Sequence, residues 1–155
     1  MALATINGIE EASAMVGKTI GPCEWRTVTQ ADIDDFARLS GDDQWIHVDV
    51  ERAKRESPFG QTIAHGNLTL SLIDGMRRPL VATSGFKLGV NYGWNKVRFP
   101  APVPAGSRVR ARAAVVSVDD AGGGWWQVVT RFTVEVEGSG KPCCVAEAVG
   151  RALVA

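Results

Sequence analysis

The chain has 155 residues, of which 45% are hydrophobic and 22% charged. These values predict one soluble globular domain over 1–155, with a core of its own. Lys and Arg number 17, as do Asp and Glu, so no net charge argues for a nucleic-acid or anionic-membrane partner.

No apolar run approaches the ~20 residues that a membrane-spanning helix needs. Met1–Gly8 lacks the basic region and long apolar core of a secretory signal. The cysteines are Cys23, Cys143 and Cys144. An odd count with two adjacent members predicts no disulfide framework, and the lack of Cys-x-x-Cys predicts no zinc site. Both features fit a reducing cytoplasm.

Residues 9–16 read as a short helix stopped at Gly17, part of an N-terminal helical extension over 1–20. Residues 22–28, around Trp25, read as a strand. Thr29 and Asp32 have capping-box spacing. Ile33, Phe36 and Ala37 then form one apolar stripe that Gly41 ends. Asp49 caps a second helix through Arg55, closed by Pro58. After a loop from Pro58 to Ala64, Gly66 opens a third helical stretch. It runs from Asn67 to about Arg78, where Pro79 ends it, and offers Leu68, Leu72, Ile73 and Met76 for burial.

The second half has strand periodicity. Residues 86–99 run without proline to Pro100. Residues 107–118 alternate Arg108, Arg110 and Arg112 with Val109, Ala111 and Ala113. Residues 119–124 form a turn, 126–136 alternate again, 138–140 turn, and 143–153 supply the last strand. Helices followed by an antiparallel meander define an α+β fold. The 66–78 helix, the most apolar, is expected to cover one sheet face.

Two places carry residues suited to proton transfer. Asp42 and His47 lie between two helices, expected as one loop beside Gly41, where both can address one water. Equally, Asp42 reads as a loop aspartate and His47 as a packing histidine. By composition alone that plainer reading leads. His65-Gly66 sits where the third helix begins, which offers unpaired N–H groups and a positive dipole end. Gly66 permits close approach of a ligand to the backbone, or serves only turn geometry.

Three segments, in order, resemble one family. Leu39-Ser40-Gly41-Asp42-Asp43-Gln44-Trp45-Ile46-His47-Val48-Asp49 resembles the hydratase motif of the MaoC-like, (R)-specific enoyl-CoA hydratases. Phe59-Gly60-Gln61-Thr62-Ile63-Ala64-His65-Gly66 is similar to the segment leading into that family's central helix. Val97-Arg98-Phe99-Pro100-Ala101-Pro102-Val103-Pro104-Ala105-Gly106-Ser107 is similar to its later Phe…Pro-Val…Gly segment. The resemblance covers residues 24 to about 153. Against the family's Asp-x-Asn-Pro-x-His, this chain has Gln44 for Asn and Trp45 for Pro. In this it most resembles the branch with nodulation-protein-N-like and mycobacterial 3-hydroxyacyl-thioester dehydratases.

The resemblance implies a hot-dog fold, a central helix wrapped by an antiparallel sheet, acting as a homodimer. It implies reversible hydration of a trans-2-enoyl thioester, with Asp42 and His47 catalytic. Gly66 would be the oxyanion donor, with Gln44 and His65 beside it as supporting and substrate-binding residues. No metal or cofactor is implied, since CoA or a carrier-protein pantetheine arrives as part of the acyl-thioester substrate. A thioesterase and a non-catalytic acyl-thioester-binding subunit are the rival readings, because hot-dog folds host both. Trp94, Trp125 and Trp126 read as core or interface, Arg77 and Arg78 as helix C-terminal charges, and Asp43 as surface.

Overall fold

Helix signals precede strand signals along the chain, and the computed structural model, which describes residues 1–154, keeps that order. Strand β1 (Ala4–Asn7) leads into helix α1 (Gly8–Ala14), followed by the two-residue strands β2 (Thr19–Ile20) and β3 (Arg26–Thr27). Helices α2 (Gln30–Ser40), α3 (Trp45–Val48), α4 (Val50–Glu56) and α5 (Gly66–Leu80) follow. Strands β4 (Val81–Ser84), β5 (Phe86–Arg98), β6 (Arg108–Gly122), β7 (Trp125–Val136) and β8 (Pro142–Val154) complete the chain. The architecture is α+β. The main sheet has the order β2-β6-β7-β8-β5, with β3 also on β6, and all its pairings are antiparallel.

Several expected boundaries shift for local reasons. Residues 1–20 are more than a helical extension. β1 pairs in parallel with β4, and β2 pairs with β6, so these residues are tied to the rest of the fold. The strand expected over 22–28 shrinks to β3. Pro22 has no N–H to donate, and only Cys23 and Val28 continue the bonding, to Ala111 and Ser107. Helix α5 passes Pro79, because the Val81 N–H still reaches the Arg77 carbonyl and carries helical bonding across the gap. The 119–124 turn is tighter than expected. Strand pairing persists to Gly122, and Gly123 and Gly124 alone make the hairpin, at φ of 62° and 82°. Two positive φ values in a two-residue loop are what a type I′ turn requires.

The period-two pattern of β6 becomes two faces. Val109, Ala111, Ala113 and Val115 point inward and are buried. Arg110 and Arg112 point outward and share Glu135, at 2.8 and 3.0 Å, while Arg108 pairs with Glu137. Helix α5 lies on the inner face. Its Leu68, Ile73, Met76 and Leu80 join Phe132, Val134, Val136, Cys143, Cys144 and Ala146 in one core cluster. Burying each large apolar side chain contributes about 1.5–3 kcal/mol. Leu72 is only partly buried.

Fifteen residues make α5 about 22 Å long, so its two ends serve different places. Its N-terminus faces the α2–α3 loop. Beside its C-terminal turn lies a cavity of about 340 Å³, lined by Ile6, Ile20, Val81, Phe86, Leu88 and Val90 among others. Strand β5 is an edge, paired with β8 on one side only. It exposes Leu88, Val90, Tyr92 and Trp94. No helix among the described residues is long and apolar enough to cross a membrane.

Candidate active site

Local rules put Asp42 and His47 where they are. The Thr29–Asp32 capping box starts α2, and Gly41, at φ 80°, ends it in the left-handed region. The chain then turns through Asp42–Gln44 and makes α3, a single helical turn. His47 therefore sits on a short helix rather than in the loop expected for both residues. One turn is too short to leave a periodic signal.

His47 is 6% exposed. Its Nδ1 lies 2.7 Å from the Ile63 carbonyl. A carbonyl only accepts, so Nδ1 carries the proton and Nε2 keeps a bare lone pair. The surrounding backbone is held twice over. Ile63 N–H donates to Ile46 O, and Gln30 Nε2 donates to His47 O at 2.8 Å. Gln30 Oε1 in turn accepts from Thr62 Oγ1 at 2.6 Å, which links α2, α3 and the segment before α5.

Asp42 is exposed. Its Oδ1 faces the Gln44 N–H at 3.5 Å, and its own N–H donates to Ser40 Oγ at 3.2 Å. Gln44 thus touches Asp42 through its backbone. Among the described residues, its side-chain amide bonds neither Asp42 nor His47, unlike the support expected of it.

His65 is the residue preceding α5 and is 2% exposed. Its Nε2 donates to the Asp42 carbonyl at 2.8 Å. Its ring stacks on His47 with centroids 3.8 Å apart and planes inclined by 25°. Phe36 packs against it at 4.9 Å. So buried and so engaged, His65 belongs to the scaffold of the cluster rather than to a substrate-facing wall.

Gly66 begins α5, and the first N–H groups of a helix have no intrahelical acceptor. A Cβ at position 66 would lie 2.8 Å from two ring carbons of Phe99. Glycine is what lets that ring lie over the helix start. The segment carrying Phe99 is pinned alongside, because Ala64 N–H donates to Val103 O at 2.8 Å and Ile63 bridges Pro104. Reading the sequence assigned no part to Phe36, Gln30, Thr62 or Phe99. The second motif, which contains Thr62, and the third, which contains Phe99, pointed near them.

Asp42, His47 and His65 hold ligand-type atoms within 4.8 Å of one another. Zinc needs nitrogen at about 2.0–2.1 Å, in the plane of each imidazole. Stacked rings aim their lone pairs along nearly parallel planes, so the two histidines do not converge on one ion. The arrangement suits a hydrogen-bonded water better. The buried thiols offer no nucleophile. Burial pushes Cys143 up to about 12 and Cys144 to about 11, so both stay protonated near neutrality.

An (α+β) hot-dog fold with Asp and His converging at the start of the central helix defines a class, and comparison with known proteins places the chain within it. The family described as "MaoC like domain" matches residues 11–137, and the chain belongs to that family. It is 50% identical over 147 residues to 3-hydroxyacyl-thioester dehydratase Z of Mycobacterium tuberculosis, covering 95% of this chain and 97% of that one. Among solved structures, it is similar to the monoamine oxidase regulatory protein of Archaeoglobus fulgius, with TM-score 0.80, 28% identity and coverage of 100% and 99%. It is also similar to the (R)-hydratase from A. caviae involved in PHA biosynthesis. There the TM-score is 0.65 and the identity 26%, with 87% of this chain and 94% of that one covered.

Proposed function

We propose that this chain is an (R)-specific enoyl-thioester hydratase, or 3-hydroxyacyl-thioester dehydratase in the reverse direction. The observation that carries the proposal is the bare Nε2 of His47, fixed by the Ile63 carbonyl beside Asp42 and the free N–H at the start of α5. The dehydratase relative and the (R)-hydratase neighbour support the same chemistry.

In hydration, a water is held between His47 Nε2 and the Asp42 carboxylate. Nε2 takes one proton as the oxygen bonds to C3. The π electrons move through C2 to the thioester oxygen, which becomes enolate-like and accepts from the Gly66 N–H. One such donor is worth about 3 kcal/mol in the barrier. The proton then returns from the coupled pair to C2, and the thioester carbonyl re-forms. Dehydration reverses each step. The carrier, CoA or a pantetheine arm, arrives on the substrate, and the reaction draws on no metal or redox group.

The working unit in this proposal is a cytoplasmic homodimer. Strand β5 leaves an unpaired, apolar edge with Tyr92 60% and Leu88 50% exposed, which is a template for pairing with a second copy. The exposed Asp42 also leaves the site open in one chain, and a second copy would wall it.

Purified protein is expected to hydrate a series of trans-2-enoyl-CoA esters to the (R)-3-hydroxyacyl product, read by chiral analysis. Asp42→Asn and His47→Ala should each lower kcat by about 10³-fold or more with the fold intact. Near-wild-type turnover in either variant sinks the assignment. Release of free CoA without a 3-hydroxyacyl product would make the protein a thioesterase instead.

A further inference from the structure

His65 is buried and bonded in the middle of the site, yet the hydration chemistry gives it no proton to move and no substrate to touch. Its presence also carries a cost. Nδ1 is a buried nitrogen without a hydrogen-bond partner among the described residues. Such atoms are uncommon and destabilising. A phenylalanine would fill the same flat space between Phe36 and His47 without that penalty. For fold stability that penalty stands against the single bond from Nε2–H to the Asp42 carbonyl, so histidine has little net advantage over phenylalanine.

The reason for histidine lies in its contacts. Nε2–H holds the Asp42 carbonyl at 2.8 Å, the ring face sets the plane of His47 at 3.8 Å, and the next residue in the chain is Gly66. One side chain thus joins the three groups that must act together. Asp42 needs such a tie most. It is exposed, and its other bonds, to Ser40 and Gln44, are short-range and long at 3.2 and 3.5 Å. We infer that His65 is the positioning residue of the reacting pair, fixing the Asp42 carboxylate and His47 Nε2 in register with the Gly66 N–H. The inference rests on the hydratase reading of the site.

Two substitutions separate positioning from packing. His65→Phe keeps a flat ring and removes both the N–H and the unpaired nitrogen. His65→Gln keeps a donor that can reach the Asp42 carbonyl. Packing alone predicts that H65F, which keeps the flat ring, leaves both stability and activity near wild type. Positioning predicts that H65F melts at or above the wild-type temperature, while kcat falls about 10²-fold at nearly unchanged KM. H65Q should recover kcat to within about tenfold of wild type. On an Asp42→Asn background, H65F should cost less than about threefold, since both changes act through Asp42.

Amide hydrogen exchange at residues 42–44 gives a readout independent of substrate. It should speed up in H65F and stay near wild type in H65Q. An H65F variant with kcat within about threefold of wild type, or with unchanged exchange at 42–44, overturns the inference. If the wild type hydrates no enoyl thioester while H65F still releases the 42–44 amides, the hydratase reading falls and the positioning role stands.

Discussion

Alanine at position 66 would put its Cβ 2.8 Å from two carbons of the Phe99 ring and 3.1 Å from a third. Real Cβ atoms essentially never come within 3.0 Å, so the ring or the helix start must move. In a helix without that neighbour, Gly→Ala would stabilise by up to about 1 kcal/mol. Here the overpacking term, typically about 1–3 kcal/mol, opposes it. Phe99 is partly exposed and can swing, which holds the cost to about 2 kcal/mol, the middle of that range. The net expectation for Gly66→Ala is a loss of about 1 kcal/mol, or ~2–4 °C in Tm for a chain of this size. Activity should suffer more than stability. Displacing the first N–H of α5 by even 1 Å can cost about 10²-fold in turnover. Thermal melting and kcat/KM on one enoyl-CoA test both expectations. The double variant Gly66→Ala/Phe99→Ala supplies the control. With the ring gone, the Tm loss caused by alanine 66 should vanish, a coupling that independent sites do not show. A single G66A variant that melts above wild type, with unchanged kcat/KM, refutes the reasoning.

Gln30→Leu should cost about 1–3 kcal/mol, because the buried Thr62 hydroxyl loses its acceptor. It should also lower kcat about tenfold by loosening α3 at the His47 carbonyl; urea unfolding and steady-state kinetics read both. Phe132→Ala, deep in the core, should destabilise by about 3–5 kcal/mol on the same unfolding assay. The hydrogen bond from Arg110, then that from Arg112, holds the Glu135 carboxyl below its ordinary value of 4.5. A depressed carboxylate contributes stability above that ordinary value and loses it as pH falls through the lowered one. Glu135→Gln should therefore lower Tm at pH 7 by a small amount, since the pair is partly exposed and worth about 1 kcal/mol or less. Once pH has fallen through the lowered Glu135 value the variant and wild type should converge, and a Tm series from neutral to acid pH checks it.

Much of the fold is legible in the chain because its signals are local. Thr29, Asp32 and Gly41 bound α2 by capping chemistry, and alternation of Arg with Val and Ala along 108–113 gives β6 its two faces. The elements that escaped are those whose partners are distant. β1 exists because β4, 77 residues later, offers it a parallel edge, and nothing near residues 4–7 announces that. β3 is short for a similar reason, its pairing being decided by β6. The site divides the same way. Asp42, His47 and Gly66 stand in motifs. The acceptor at Ile63 O, the bridge through Gln30 and the Phe99 ring over Gly66 are tertiary facts. His65 was visible as a residue, but its burial and its bond to Asp42 were not, and these move it from the substrate side to the scaffold.

The bond that aims His47 comes from a main-chain oxygen. Where a carboxylate orients a catalytic imidazole, one substitution deletes the orienter. No substitution at position 63 removes its carbonyl, and the backbone there is fixed from both flanks, by Ile46 O and by Pro104. The tautomer of His47 is thereby insulated from sequence drift at the very residue that sets it. A side-chain change at position 63 alters local packing but leaves the acceptor that aims the base in place.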